Sequence, residues 1–192
     1  MRPVNAVRAH PGYAGNMSRL SLAVATAALA IFAAGAWAQP GGAPLDVRQA
    51  MSDGVNPAAL AIWDVSNAAM DDDGALDPAL LTPRDWATIE EAAQVLEAHS
   101  RRMAEAAVIV AGGPELVAGE LPPGVASKEE IQAMIDADPD GFRAVAGDMA
   151  DQAAALLAAA RNRDAGAAGD LAFGIDGACQ SCHVRYWYPR AE

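Results

Sequence analysis

The chain has 192 residues, of which 25 are acidic and 13 are basic, so that its net charge is −12 at neutral pH. A surface this acidic repels nucleic acid and anionic membranes, and it either favours a basic protein partner or serves only to keep the chain soluble. The sequence contains only two cysteines, and both belong to one motif near its end.

The N-terminal segment predicts export. Residues Leu20–Ala38 are apolar and uncharged and end in Ala36-Trp37-Ala38, a small-x-small cleavage pattern. We interpret residues 1–38 as a leader and signal peptide that is removed, which leaves one periplasmic domain over residues 39–192. Removal takes away three arginines and no acid. The alternative is an uncleaved anchor, because about 19 apolar residues can span a bilayer.

The first helices are predicted between residues 45 and 74. A short helical turn is expected over residues 45–52, and Asn56-Pro57 supplies a cap and a proline that either start a second helix or kink one long helix. Steps of three and four residues predict that one face of this helix is buried. Its members are Leu60, Trp63, Asn67 and Met70. The helix ends at Asp71-Asp72-Asp73-Gly74, which we interpret as a solvated turn because the twelfth position of a calcium loop would be Thr82 instead of an acid.

The longest amphipathic pattern begins at Thr82. Thr82-Pro83-Arg84-Asp85 combines a capping hydroxyl, a proline in the first helical position and an acid three residues after the cap. An apolar seam then predicts a helix that continues to Val110 and stops at Gly112-Gly113-Pro114. The seam consists of Trp86, Ile89, Ala93, Leu96, Ser100, Met103, Ala107 and Val110.

The second half of the chain predicts three further helices. Residues 111–127 form a long loop, after which a capping box at Ser127 opens a short helix. Asp138-Pro139 opens a long helix whose buried face is expected to hold Phe142, Val145, Met149, Ala153, Leu156 and Ala160. Asp164 caps the last helix, which is predicted to run to about Trp187 with Leu171, Ile175, Ala178 and Cys182 on its inner stripe.

These elements predict an all-α fold. Four main amphipathic helices, mostly joined by short loops, indicate an antiparallel four-helix bundle. The sequence shows no strand pattern and no internal repeat. Bundles of this kind hold cofactors in the core between facing helices.

Both cysteines belong to Cys179-Gln-Ser-Cys182-His183, which has the spacing of a c-type haem attachment motif. Residues three and four apart share one face of a helix, so both sulfurs can form thioethers with one haem c while His183 coordinates its iron. A thioredoxin-like pair needs a preceding strand, and a zinc site needs a fourth ligand. A plain disulfide is the remaining alternative, but it gives His183 no role.

Four glycines lie in the last predicted helix, where each costs about 1 kcal/mol relative to alanine. We interpret them as positions at which a flat macrocycle approaches the backbone closely, or as a loop-like approach to the motif. They are Gly166, Gly169, Gly174 and Gly177.

The sixth iron ligand is left open by the sequence. The nine residues after His183 contain neither Met nor His, so any such ligand comes from upstream. Met51 is the best candidate because it offers a soft thioether, whereas Met103 fits a core stripe and His99 lies on the flank of its helix. We favour an open or sterically blocked sixth position over ligation by Met51.

The chain resembles the class II cytochromes c, the cytochrome c′ group. Beyond the haem motif, the resemblance rests on residues 170–179, on the run from Val55 to Asp64 and on the pair Tyr186-Trp187, which is found in a divergent branch of the group. It covers residues 45–189. It implies a four-helix bundle with covalent haem on the last helix, and often a homodimer formed by the first two helices.

The resemblance also implies roles for single residues. Arg48 corresponds to an arginine near the haem, where a guanidinium can pair with a propionate, although a solvated arginine is an equal alternative. The family's residue on the sixth-ligand side lies four positions later, at Ser52, so Met51 is one residue short. Tyr186-Trp187 directly follows the haem motif, and we expect both rings to pack beside the haem.

Three functions follow from these interpretations. The first is a periplasmic carrier of single electrons that works with a redox partner protein, for which the acidic surface favours a basic one. The second is a haem protein that binds or scavenges a diatomic gas such as nitric oxide or carbon monoxide. The third is an exported helical bundle without haem. No set of catalytic acid, base and nucleophile is visible, so we do not expect an enzyme.

Overall fold

The computed structural model describes residues 43–113 and 125–188. The predicted signal peptide lies outside the described residues and stays a prediction. The described chain is mostly helical, as expected for an all-α fold. Among the described residues, no helix is both long enough and apolar enough to cross a membrane.

The first helical run is continuous from Val47 to Ala68. It consists of α1 (Val47–Ala50), a π-helical turn (Met51–Val55) and α2 (Asn56–Ala68), and the residues at both junctions have right-handed helical angles. Pro57 has no amide hydrogen to donate to the preceding turn. The wider π-helical turn lies directly before it, so Pro57 interrupts one long helix instead of starting a second.

The predicted face of this helix was wrong at two positions. Trp63 packs against the core, but Leu60 and Asn67 are exposed, and the buried residues of α2 are Ala58, Ala59, Ile62 and Ser66. The buried side of α2 holds mostly small residues, which a search for large apolar side chains does not select. Alanines on the buried side also let a neighbouring helix come close.

The next helix, α3 (Pro83–Glu105), begins where predicted, at the Thr82 capping box with Asp85. Its seam is buried from Trp86 to Met103. The helix ends at Glu105, five residues before the predicted end at Val110. There, Ile109–Val110 forms β2, which pairs in parallel with β1 (Leu45–Asp46). The expectation of no strand was therefore wrong, because β-branched residues after the helix found a partner at the start of the domain.

The remaining helices are α4 (Lys128–Ala137), α5 (Pro139–Asn162) and α6 (Ala165–Tyr186). Ser127, Asp138 and Asp164 accept the capping hydrogen bonds that the sequence predicts. Arg163, with a φ of 54°, ends α5 in the left-handed conformation. The predicted face of α5 is buried except for Val145, which is partly exposed.

Four long helices contact one another in a closed series. α3 packs against both α2 and α5, and α6 packs against both α5 and α2. The fully buried side chains between them include Ile62, Ile89, Leu96, Leu156 and Ile175. The shorter α4 lies against α5 and α6, and this corner of the domain contains the candidate site.

Candidate functional site

The last two turns of α6 bring Cys179, Cys182 and His183 to one side of the helix. All three side chains are partly buried and line one cavity. The cavity has about 660 Å³ of space between atoms, part of it open to solvent. The cavity volume proper is only about 60 Å³, which is below the usual range of cofactor sites, so the lining residues, and not the volume, identify the site. The grouping predicted from sequence spacing is therefore present in the fold.

The walls of this cavity come from every helical segment except α2. The first helical run, α3, α4 and α5 each contribute, and the lining is almost entirely hydrocarbon and sulfur. Its largest aliphatic and aromatic members from outside α6 are Val47, Val55, Ile131, Ile135, Phe142 and Val145. Such a wall suits a large apolar ring that brings its own metal.

Burial controls the chemistry of the cysteines. It raises the pKa of Cys182 to about 11, with a smaller contribution from the neighbouring Cys179. It also raises the pKa of Cys179, where the carboxylate of Asp176 adds to the effect. Both side chains are unpaired thiols. A reactive redox pair has a lowered thiol pKa, so this environment argues against a thioredoxin-like role.

The imidazole of His183 is suited to binding a metal. Burial lowers its pKa, which favours the neutral ring with a free lone pair. The ring centroid of Trp187 lies 6.1 Å away, and that of Tyr188 lies 6.0 Å away. Within the described residues, no group of three or more His, Cys, Asp or Glu side chains is arranged to hold a metal ion.

Tyr186 and Trp187 also line the cavity, as the prediction of packing beside a haem requires. Tyr186 is only 3% exposed, and its ring meets Phe142 edge-on at 5.3 Å. The Tyr186 hydroxyl donates to the backbone oxygen of Asp138 at 3.3 Å. The carboxylate of Asp138 caps α5 and pairs with Arg185. Sequence patterns gave no sign of this link between α5 and α6.

The two residues predicted on the first helix behave differently. Met51 lines the cavity, together with Met103 and Met149 from the neighbouring helices. Arg48 is exposed and is not part of the lining; its side chain lies against Gly113. Pairing between Arg48 and a propionate stays a prediction.

His99 lies outside the cavity. Its partly buried ring packs on Gly54, and it lines a separate polar hollow with Asp53 and Glu105. This agrees with the expected position on the flank of the helix.

None of the four glycines of α6 lines the cavity, and their proposed closeness to a macrocycle stays a prediction. Two of them face other parts of the protein instead. A Cβ at Gly169 would lie 3.1 Å from the Cβ of Leu76, and a Cβ at Gly174 would meet the side chain of Gln152. Gly177 has no neighbour within 4 Å of such a Cβ.

Ser100 is a cavity residue that sequence reasoning missed. It belongs to the predicted seam of α3 and is fully buried there, but its hydroxyl oxygen has no hydrogen-bond partner among the described residues. Periodicity predicts which face is buried; it gives no signal for what a polar atom on that face contacts.

The residues of the cavity fit a covalently attached haem. Two thiols three residues apart, a neutral imidazole beside them and apolar walls provide the attachment, the axial ligand and the ring pocket that c-type haem requires.

Comparison with known proteins gives one match. A family model described as Cytochrome C' matches residues 79–187, which is more than half of the chain and includes the whole haem motif. No curated protein and no solved structure matches the chain. The matched range starts after α2, so the resemblance proposed for Val55–Asp64 is not part of it.

Proposed function

Because the chain belongs to the cytochrome c′ family, we propose that it is a periplasmic cytochrome that carries single electrons on one covalently bound haem c. The observation that carries this proposal is the apolar cavity lined together by Cys179, Cys182 and His183. The haem would supply the one-electron couple of its iron. The chain would supply attachment, one axial ligand and exclusion of water.

In this proposal α2, α3, α5 and α6 form an antiparallel four-helix bundle, and the haem lies against the last helix. Cys179 and Cys182 would hold the haem through two thioethers, each made by adding one S–H across one vinyl group. The neutral imidazole of His183 would hold the iron. Axial ligation and burial then set the reduction potential.

The composition of the cavity suits an electron carrier. Among its described lining residues, the polar groups are the haem-motif side chains, Ser100, the Tyr186 hydroxyl and the Trp187 ring. Burial raises the pKa of Tyr186, so this phenol stays protonated at neutral pH. Among the lining residues that the structure describes, none carries a carboxylate or an ammonium group.

Gas binding is the second candidate, and one observation favours it. No second histidine and no lysine lines the described cavity, so the available ligands for the far side of the iron are the thioethers of Met51, Met103 and Met149. Thioethers are weaker ligands than imidazole. An iron that none of them binds would accept a diatomic gas in an apolar environment.

The test is the purified protein from cells that attach c-type haem. We expect one haem per chain, covalently held after denaturation, and loss of this attachment in the Cys179→Ala/Cys182→Ala variant. A colourless protein whose mass does not include that of one haem would disprove the proposal. A mature N-terminus at Gln39 would support the periplasmic location.

The ferric spectrum separates the two functions. A low-spin spectrum that becomes high-spin in Met51→Ala, but not in Met103→Leu or Met149→Leu, would support electron transfer with Met51 as sixth ligand. A five-coordinate high-spin iron that binds carbon monoxide would favour the gas-binding function. A low-spin spectrum unchanged by Met51→Ala would contradict Met51 as the ligand.

A further inference from the structure

Ser100 lies in the middle of α3, is 0% exposed and lines the cavity of the haem motif. Its hydroxyl oxygen has no hydrogen-bond partner in the described part of the chain. An unpaired buried hydroxyl reduces stability unless something in the cavity completes its hydrogen bond. This orphaned donor therefore points to a polar atom on the occupant of the cavity.

Other helical hydroxyls in this protein satisfy themselves locally. Ser66, Thr88 and Ser181 each donate to the carbonyl oxygen four residues earlier, at 2.8, 3.0 and 2.8 Å. This is the usual bond of a serine or threonine inside a helix. Ser100 does not make it, although Leu96 carries the equivalent carbonyl, and its side chain lines the cavity instead.

The position of Ser100 limits what its partner can be. Haem itself offers two carboxylates as acceptors, because its ring nitrogens bind the iron. A carboxylate loses much solvation energy when it is buried and therefore stays near water. Ser100 is fully buried among apolar side chains. A small neutral ligand fits this location better than a propionate.

We propose that Ser100 donates a hydrogen bond to a diatomic ligand in the haem cavity, and that it thereby selects which small ligands the protein holds. This inference rests on the proposed haem and on the second candidate function, gas binding, to which it adds a specificity-determining residue. Hydrogen-bond donors in a haem pocket influence which diatomic ligands bind and how long they stay. The remainder of the described lining discriminates mainly by size.

The test uses the reduced holoprotein and carbon monoxide as the probe. Two readouts are measured, the infrared stretching frequency of bound carbon monoxide and its dissociation rate. Ser100→Ala is expected to raise the frequency and to speed dissociation by roughly threefold or more, the effect of losing one hydrogen bond. Ser100→Thr keeps a hydroxyl and Ser100→Val has the same shape without one, so this pair separates the hydroxyl from packing.

Two controls complete the design. Ser66→Ala removes a buried hydroxyl that is bonded to its own helix, and neither readout should change. The series is repeated with Met51→Ala, so that a thioether on the iron does not block the ligand.

Three results would overturn the proposal. The first is that Ser100→Thr and Ser100→Val give equal frequencies and equal rates. The second is that no carbon monoxide is taken up with or without Met51→Ala, and the third is a change confined to the haem carboxylate vibrations. A wild-type protein without covalent haem would overturn the proposed function as well. If the wild-type protein carries covalent haem but Ser100→Ala changes neither the carbon monoxide frequency nor its dissociation rate, only this inference is overturned.

Discussion

Asp138 joins the start of α5 to the end of α6 through three interactions. Its carboxylate accepts from the backbone N–H of Gly141 at 3.1 Å and pairs with Arg185. Its backbone oxygen accepts from the hydroxyl of Tyr186 at 3.3 Å. Since Tyr186 and His183 line the same cavity, Asp138 holds in place the part of α6 that carries the proposed iron ligand.

We expect Asp138→Ala to lower the free energy of unfolding by about 1–2 kcal/mol, most of it from the lost helix cap. The ion pair with Arg185 is partly exposed and contributes less than about 1 kcal/mol. Asp164→Ala is the matched control, because the Asp164 carboxylate caps α6 by accepting from the backbone N–H of Ala167. Among the described ion pairs, Asp164 has none that corresponds to the pair of Asp138 with Arg185. Chemical denaturation of both variants checks this. Equal losses would show that the contact between α5 and α6 adds nothing to the cap.

Site residues that are neighbours in the sequence can be predicted from it, whereas contacts between residues far apart in the chain cannot. Cys179, Cys182 and His183 are close in sequence, and helix geometry alone brings them to one side. The link between Asp138 and Arg185 joins residues 47 positions apart, and the free hydroxyl of Ser100 depends on four neighbouring segments. Interactions of this kind become visible only after packing.

At the scale of elements, two glycines of α6 give a matched pair of substitutions. Gly177→Ala adds a methyl group with no neighbour within 4 Å, whereas at Gly169 the same group lies 3.1 Å from the Cβ of Leu76. Gly177→Ala should raise the free energy of unfolding by about 1 kcal/mol through helix propensity. Gly169→Ala should raise the free energy of unfolding by less than that or should lower it, because the added methyl group crowds Leu76. Thermal unfolding of the two holoproteins measures the difference, and equal gains would contradict the close contact with Leu76.

The capping boxes of α3 and α4 make stability depend on pH. The hydrogen bonds from the side chain and backbone of Thr82 lower the pKa of Asp85, and those from the backbone and side chain of Ser127 lower the pKa of Glu130. A lowered pKa in the folded state stabilises the fold at neutral pH. That contribution is lost as the pH falls below about 4 and through the folded-state values.

We therefore expect Asp85→Asn and Glu130→Gln to lower the urea midpoint at pH 7, and to differ little from wild type once both carboxyl groups are protonated. Glu129→Gln is the control, since Glu129 lies in the same turn as Glu130 but takes no part in the capping box. A deficit that is as large in acid as at neutral pH would rule out the carboxylates as its source.

Four helix starts were predictable because capping is local, whereas the cap predicted at Asn56 is not formed and helix ends were harder to predict. Thr82, Ser127, Asp138 and Asp164 begin their helices as the sequence indicates. The end of α3 depends on the pairing of Ile109 with Leu45, far away in the chain. The buried face of α2 consists mainly of alanines and a serine around Ile62, in place of the larger residues that were predicted. Neither effect is contained in a regular period.

At the scale of the whole molecule, charge should govern electron exchange. The chain has a net charge of −12, and Asp176 is close enough to Cys179 to raise the pKa of its thiol. The proposed haem edge therefore lies in a negative field. Such a field attracts cationic partners and repels anionic ones, and salt screens both effects.

We expect the reduced protein to be oxidised faster by a cationic cobalt complex than by an anionic one of similar potential at low salt, with the two rates converging as the ionic strength rises. Asp176→Asn should reduce the preference, because this charge is near the motif. Asp72→Asn is the matched control, because it removes the same charge far from the motif. Asp72 lies in the turn before Leu76, and Leu76 contacts α6 at Gly169. Gly169 is about 15 Å along the helix from Cys179. Stopped-flow oxidation measures the rates. Equal rates at low salt, or the same loss of preference in both variants, would mean that the acidic surface does not steer partners to the haem motif.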